Sequence, residues 1–153
     1  KCLLGALLAY RLFAGAGLGW SATLWAGLGV TLGHDFPFWK GFRGGKGVAT
    51  TCAAITIFSP VIGIASMIIG MLVVFATNLL SLGGVAIPLA FALICLICRA
   101  AKLLPLSFMP AMVGGMLTVL ALIRNWSQLR QIPAGTAERV DVYGSLRKKL
   151  RKK

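Results

Sequence analysis

The feature that most constrains this chain is a series of long apolar runs separated by short polar breaks. The runs cover residues 2–13, 18–32, 47–58, 61–76, 82–98 and 103–123. They are continuous and do not alternate between apolar and polar residues, which favours helices over membrane β-strands. A span needs about 20 residues, so the first three runs are short enough to be tilted, half-buried or re-entrant. We therefore predict an all-α, polytopic membrane bundle of about six transmembrane helices.

The composition excludes two other classes of protein. Hydrophobic residues make up 58% of the chain and charged residues only 12%, about half the charge of a soluble domain. Neither a water-soluble globule nor a disordered chain fits these values. The net charge of +13 would suggest nucleic acid for a soluble protein. Here most of the chain is too apolar for that, so we expect the lipid bilayer as partner and no nucleic acid.

The basic residues predict how the chain is oriented in the membrane. Cytoplasmic segments of membrane proteins carry an excess of Lys and Arg. We expect residues 1–138 to form one membrane-embedded domain and residues 139–153, which hold seven Lys and Arg, to form a basic cytoplasmic tail. Four helices separate the tail from the basic loop at 33–47, so both fall on one side. Arg99 and Lys102 then lie on the other side, against the general trend.

Small residues and cysteines within the runs are predicted to have packing roles. Gly29 and Gly33 are spaced as a small-xxx-small pair, and Ala111, Gly114 and Gly115 form a second small patch. Such residues let helix backbones approach closely in lipid. Cys95 and Cys98 share a helix face, but a metal site needs more ligands than one such pair supplies. We expect no metal ion.

The loop at 33–50 is the polar island of the chain, and it carries the only histidine, His34. Its cations are Lys40, Arg43 and Lys46, and its clustered glycines are Gly41, Gly44, Gly45 and Gly47. Glycines let several backbone N–H groups turn toward one ligand, and the following helix offers its positive N-terminal end. Arg43 can grip a phosphate with two hydrogen bonds, and Lys46 adds a point charge. These residues predict an anion cradle, or alternatively a re-entrant loop of turn glycines and cationic anchors.

The same segment resembles a known family. Its Gly-His-x-Phe-Pro start at Gly33, its Arg-Gly-Gly-Lys-Gly at 43–47 and its Thr50 are similar to the central signature of the acyl-phosphate:glycerol-3-phosphate acyltransferases. That family implies a bundle of seven membrane helices in the bacterial inner membrane, with a cytoplasmic active site. About six helices here would mean that the first is missing.

The resemblance implies a reaction and a set of site residues. An acyl group would move from acyl phosphate to the first-carbon hydroxyl of glycerol 3-phosphate, giving lysophosphatidic acid and phosphate, without a cofactor. Lys46 and His34 are the candidate catalytic residues, with a loop-fixing hydrogen bond as the other role for His34. The candidate phosphate-binding residues are Arg43, Gly44, Gly45, Lys46, Gly47 and Thr50. Thr50 has a second possible role in its own helix turn. No oligomeric state is indicated.

The chain departs from the family pattern in three places. The N-terminal Ser-Gly-Asn motif has no counterpart. The third motif falls without gaps on residues 124–137, where Arg124, Gly135 and Thr136 match, Gln128 replaces an Asn and Asn125 replaces a His. A Thr-Arg-Tyr-x-Ser pattern is reduced to its ends at 77–81. These losses leave two alternatives open, a catalytically impaired relative that binds a phosphorylated glycerol and a membrane transporter or channel.

Overall fold

The computed structural model describes residues 2–38, 41–42, 44–104 and 107–132. Within those ranges the regular structure is entirely helical, which confirms the all-α prediction. The elements are α1 (Cys2–Phe13), a short 3₁₀ turn (Ala14–Ala16), α2 (Gly19–Asp35), α3 (Val48–Phe58), α4 (Pro60–Thr77), α5 (Leu80–Ala100) and α6 (Met109–Gln131).

Three of the described helices are long and apolar enough to cross a bilayer, namely α4, α5 and α6. Helices α1 and α3 are apolar but shorter, and α2 has 17 residues. The chain is therefore a multi-pass membrane protein. The larger number of about six spans stays a prediction, since the short helices fall below the usual span length.

Helix packing brings five helix ends to one face of the bundle. Helix α5 packs between α4 and α6, α2 packs against α1 and α3, and contacts between α2 and α6 join these groups. Leu24 of α2, Ile55 of α3 and Phe91 of α5 are fully buried in the shared core. Hydrogen bonds of residues 44–46 with the end of α2 and with α6, and of Ser81 with Gln128, bring the ends of α2 and α6 together with the starts of α3 and α5. The end of α4 adjoins the start of α5 through Asn78 and Leu79.

The last helix differs from its predicted bounds. It begins at Met109, later than the apolar run at 103, and continues to Gln131, well past residue 123. Pro110 in the first turn suits a helix start because proline has the required φ and lacks an N–H that would go unused. The end of the helix is polar because it carries Arg124, Asn125 and Gln128, which project toward other parts of the protein.

The contacts that the small residues make differ from those that their spacing in the sequence predicts. Gly27 lies against α3, where an added Cβ would overlap the Ala54 Cβ and stand 3.3 Å from the Ala54 Cα. Within the described part of the chain, the predicted pair of Gly29 and Gly33 is wrong as a contact, since no described residue lies within 4 Å of a Cβ at either position. Residues along an α-helix turn by about 100° each, so Gly29 faces away from the surface that Gly27 presents. A Cβ on Gly114 would stand 3.0 Å from the Ala92 Cβ, so Gly114 packs closely against α5 as predicted, whereas a Cβ on Gly115 would meet no described atom within 4 Å.

We expect Gly27→Ala to destabilise the protein, whereas Gly29→Ala should leave it unchanged or slightly more stable. Both changes raise helix propensity by the same amount, but only the first inserts a methyl group into the α2–α3 contact. Overpacking of this kind costs about 1–3 kcal/mol. Thermal unfolding of the two variants in one detergent measures the difference. Equal melting temperatures would contradict the close approach of α2 and α3.

Candidate functional site

The loop between α2 and α3 folds back onto the end of α2. The Gly45 amide donates a hydrogen bond to the His34 carbonyl oxygen at 3.3 Å. A Cβ on Gly44 would overlap that same oxygen and stand 2.5 Å from the Asp35 carbonyl oxygen. Position 44 therefore requires glycine, because its backbone lies too close to the backbone of His34 and Asp35 to leave room for a side chain.

Gly47 is the residue that connects this loop to α3. It adopts a left-handed conformation with φ of +67° and forms the N-cap of α3 without a side-chain cap. A Cβ there would stand 2.5 Å and 2.7 Å from the two carboxylate oxygens of Asp35. Both the backbone angle and the lack of space exclude other residues at Gly47.

Asp35 is buried at the end of α2, with 1% of its surface exposed. Its Oδ1 atom has no hydrogen-bond partner in the described part of the chain. The residue lies beyond the apolar run that ends at 32. Burial raises the pKa of the Asp35 carboxyl, and the charges of Arg124 and His34 lower it in part.

Arg124 of α6 holds the loop from the opposite side. Its Nε donates to the Gly45 carbonyl oxygen at 3.0 Å, and its Nη2 donates to the Gly44 carbonyl oxygen at 2.7 Å. The guanidinium also lies 5.1 Å from the centre of the Phe36 ring. Two parallel hydrogen bonds fix orientation as well as distance. The last helix therefore clamps the glycine loop.

Lys46 belongs to a hydrogen-bonded cluster in which the side-chain amide of Gln128 links three segments of the chain. Its Nζ donates to Gln128 Oε1 at 3.0 Å, and the Ser81 hydroxyl donates to the same oxygen. Lys46 comes from the loop, Ser81 from the first turn of α5 and Gln128 from α6. Lys46 is exposed and Ser81 is partly exposed. These three polar groups form a cluster that a small polar ligand can reach.

The remaining predicted residues have local roles in this structure. The Thr50 hydroxyl donates to the Gly47 carbonyl oxygen at 2.9 Å, the helix-turn role. His34 is exposed, and its ring packs against Gly45, where a Cβ would overlap Nε2. The Gly45 amide was expected to face phosphate, but here it is already bonded to His34. That correction leaves the amides of Gly44 and Gly47 for an anion.

Some predicted residues lie outside the described part of the chain. These are Lys40, Arg43, Gly135, Thr136 and the tail at 139–153. Conversely, the structure adds Ser81, Asp35 and the clamping role of Arg124. Ser81 and Arg124 had a signal in the sequence, because both match retained positions of the family patterns. For Asp35 the only signal in the sequence was its position next to His34.

The surroundings suit a ligand at the membrane surface. Phe38, Phe42 and Trp126 are large aromatic residues with more than half of their surface exposed. Aromatic side chains are enriched at the level of lipid headgroups. A cation, a hydroxyl and an amide at that depth can hold an anionic headgroup while an attached chain stays in lipid.

Comparison with known proteins identifies relatives along most of the chain. The family description of glycerol-3-phosphate acyltransferase matches residues 1–135. A glycerol-3-phosphate acyltransferase of Symbiobacterium thermophilum is 36% identical over 76% of this chain and 56% of its own length. Glycerol-3-phosphate acyltransferase 1 of Lactobacillus johnsonii is 31% identical over 98% of this chain and 68% of its own length. The chain thus spans between about half and two thirds of these relatives.

A solved structure shares the fold. The glycerol 3-phosphate form of PlsY (YgiH), an integral membrane glycerol 3-phosphate acyltransferase, superimposes with a TM-score of 0.70. The match covers 95% of this chain and 72% of that chain, at 22% sequence identity. At this identity the likeness concerns the fold. The family match, which covers most of the chain, and the relative at 36% identity show that this chain belongs to the glycerol-3-phosphate acyltransferase family.

Proposed function

We propose that this protein acylates glycerol 3-phosphate. The acyl group comes from acyl phosphate and is transferred to the first-carbon hydroxyl, so that lysophosphatidic acid and inorganic phosphate are the products. The observation that carries the proposal is the cluster of Lys46, Gln128 and Ser81 beside the clamped glycine loop. The exposed ammonium group of Lys46 can bind an anion. Both proposed substrates are anionic, and one of them is a lipid, which suits a site at the membrane surface.

The chemistry follows from what each group can bind. The glycerol hydroxyl oxygen attacks the acyl carbonyl carbon, the carbon–oxygen bond to phosphate breaks, and phosphate leaves with the electron pair. Lys46 and Arg43, with the amides of Gly44 and Gly47, stabilise the phosphate groups and the charge that develops on the carbonyl oxygen. His34 orients the hydroxyl or accepts its proton. The hydroxyl proton ends on His34 or on the released phosphate.

The ungapped third motif supplies the opposite wall of the proposed site. Gln128 already contacts Lys46 and Ser81, and its amide N–H₂ group can donate to a substrate oxygen. Gly135 and Thr136 follow Gln128 by seven and eight residues in the sequence and complete the motif in this proposal. Thr50 supports the loop through its own helix turn and does not contact phosphate in this arrangement.

We also propose the placement of the protein in the membrane. The loop at 33–47 and the tail at 139–153 face the cytoplasm, and the short helices cross the inner membrane together with α4, α5 and α6. Residues 1–138 form the single catalytic domain. The support for this arrangement is that the ends of α2 and α6 and the starts of α3 and α5 meet at one cationic face. Glycerol 3-phosphate is water-soluble and approaches from that side.

A second candidate function is glycerol-phosphate binding without turnover. Gln128 favours it, because the longer side chain that replaces the family's Asn already holds the Lys46 ammonium. A substrate phosphate must compete with that bond.

We expect membranes that contain the protein to release phosphate from palmitoyl phosphate only when glycerol 3-phosphate is added. Phosphate release and lysophosphatidic acid, measured by mass spectrometry, should rise in equal amounts. Glycerol without phosphate is the control acceptor, and palmitoyl coenzyme A is the control donor. Binding of labelled glycerol 3-phosphate with no product would support the second candidate. Product formed from palmitoyl coenzyme A but not from palmitoyl phosphate would overturn the proposal that acyl phosphate is the donor.

A further inference from the structure

Asp35 is the only acidic side chain in residues 1–132, because the other two acids of the chain are Glu138 and Asp141. It is buried in a membrane protein at a site that is otherwise cationic. A buried charge is costly unless the surroundings compensate it. A lone buried acid beside a proposed substrate site therefore calls for a specific role.

The contacts of Asp35 point to the start of α3. Its carboxylate oxygens lie against Gly47, the N-cap of a helix that begins without a side-chain cap. Helix N-termini carry a partial positive charge and favour nearby anions. Asp35 is thus placed to complement the N-terminal end of α3 from a neighbouring helix.

Arg124 supplies the second half of the arrangement. Its guanidinium bonds the carbonyl oxygens of Gly44 and Gly45, and its charge acts on the Asp35 carboxyl. The segment 44–47 is therefore hydrogen-bonded to a cation at its first two residues and lies against an anion at its last. Lys46 lies between these fixed points.

From this geometry we infer that Asp35 is a positioning residue, whose negative charge fixes the segment 44–47 and so aims Lys46 at the substrate phosphate. The inference rests on the proposed function. It concerns a residue that does not itself contact substrate. The role is electrostatic, so the charge is required and the shape of the side chain alone does not suffice.

The test uses Asp35→Asn, which keeps the size of the side chain and removes its charge. We expect KM for glycerol 3-phosphate to rise about tenfold, comparable with the effect of a charge at a partly buried helix terminus. The melting temperature should not fall, because removing a buried charge also removes its desolvation cost. Thr31→Val is the matched control, since Thr31 is also buried in α2 and its hydroxyl donates to the Gly27 carbonyl oxygen of its own helix in the described structure.

A pH profile separates this role from a packing role. The charged groups that act on Asp35 are Arg124 of α6 and the adjacent His34, while α3 carries no acidic or basic side chain. Burial raises the pKa of the Asp35 carboxyl, so the charge is lost as pH falls through that raised value. Wild-type activity should decline on the acid side, and Asp35→Asn should lack that part of the decline. Both proteins use the same substrates, so titration of the substrate phosphates is common to both profiles.

Labelling of Lys46 by an amine-reactive reagent gives a readout that does not depend on turnover. We expect faster labelling in Asp35→Asn than in wild type and in Thr31→Val. Unchanged KM, pH profile and labelling in the variant would overturn the inference. A parallel fall in melting temperature and activity would also overturn it, because that result indicates packing. An inactive wild type would count against the proposed function, and the labelling rates would still decide the role of Asp35.

Discussion

Replacing Lys46 with alanine should lower kcat/KM for glycerol 3-phosphate by at least about 100-fold, the usual cost of losing one stabilising donor from an active site. Lys46 is the one cation in the described cluster with Gln128 and Ser81. Its loss removes the charge that opposes the substrate phosphate and leaves the Gln128 oxygen with only the Ser81 hydroxyl. The measurement is phosphate release from palmitoyl phosphate at varied glycerol 3-phosphate.

Arg11→Ala is the control for charge alone. Arg11 is exposed and lies near the end of α1, away from the residues of the cluster. Its removal lowers the net charge by the same amount, so activity should stay within about twofold of wild type. Lys46→Arg should keep part of the activity, since the charge remains but its shape and reach differ. Undiminished turnover in Lys46→Ala would remove Lys46 from the active site.

The membrane helices were predictable because lipid leaves few choices. Backbone groups in hydrocarbon must bond within their own segment, so long apolar runs become helices. The run at 2–13 coincides with α1. The last helix differs from this prediction at its C-terminal end, because its last eight residues include Arg124 and Gln128. A hydrophobic pattern detects only the part of a helix that lies in lipid. The end of α6 is polar and is stabilised by contacts with the loop and with Ser81.

The position of Lys46 in a glycine loop was also predictable, because glycines and cations in one loop leave a clear local pattern. Lys46 and its loop glycines were named from that pattern and from the family signature. The partners of Lys46 were harder to predict, since Ser81 and Gln128 lie far away in the sequence. An ungapped alignment still found Gln128, whereas nothing local indicated that Asp35 would face Gly47. The spacing of Gly29 and Gly33 failed for the same reason, because a repeat does not tell which helix face has a neighbour.

We expect Arg124→Ala to lower kcat/KM by about 100-fold, although the described hydrogen bonds of the Arg124 side chain go to the glycine loop and not to the Lys46 cluster. The guanidinium holds the carbonyl oxygens of Gly44 and Gly45 at 2.7 Å and 3.0 Å, respectively. Without it, residues 44–45 lose both side-chain bonds to α6 and keep the longer bond from the Gly45 amide to the His34 carbonyl oxygen, while Lys46 keeps its bond to Gln128. A displacement of about 1 Å in a positioning element costs about that factor in rate. Steady-state kinetics with both substrates varied would measure the loss.

Two further variants decide whether Arg124 acts through its shape or its charge. Arg124→Lys keeps the charge but cannot make two parallel bonds to adjacent carbonyls, so it should lose most of what Arg124→Ala loses. Arg130→Ala is the matched control on the same helix, because Arg130 contacts the ring of Trp126 at 5.2 Å and does not touch the loop in the described contacts. Full activity in Arg124→Lys would mean that charge is enough. Full activity in Arg124→Ala would mean that the loop keeps its shape without α6, and the reason for placing the third motif against the glycine segment would be lost.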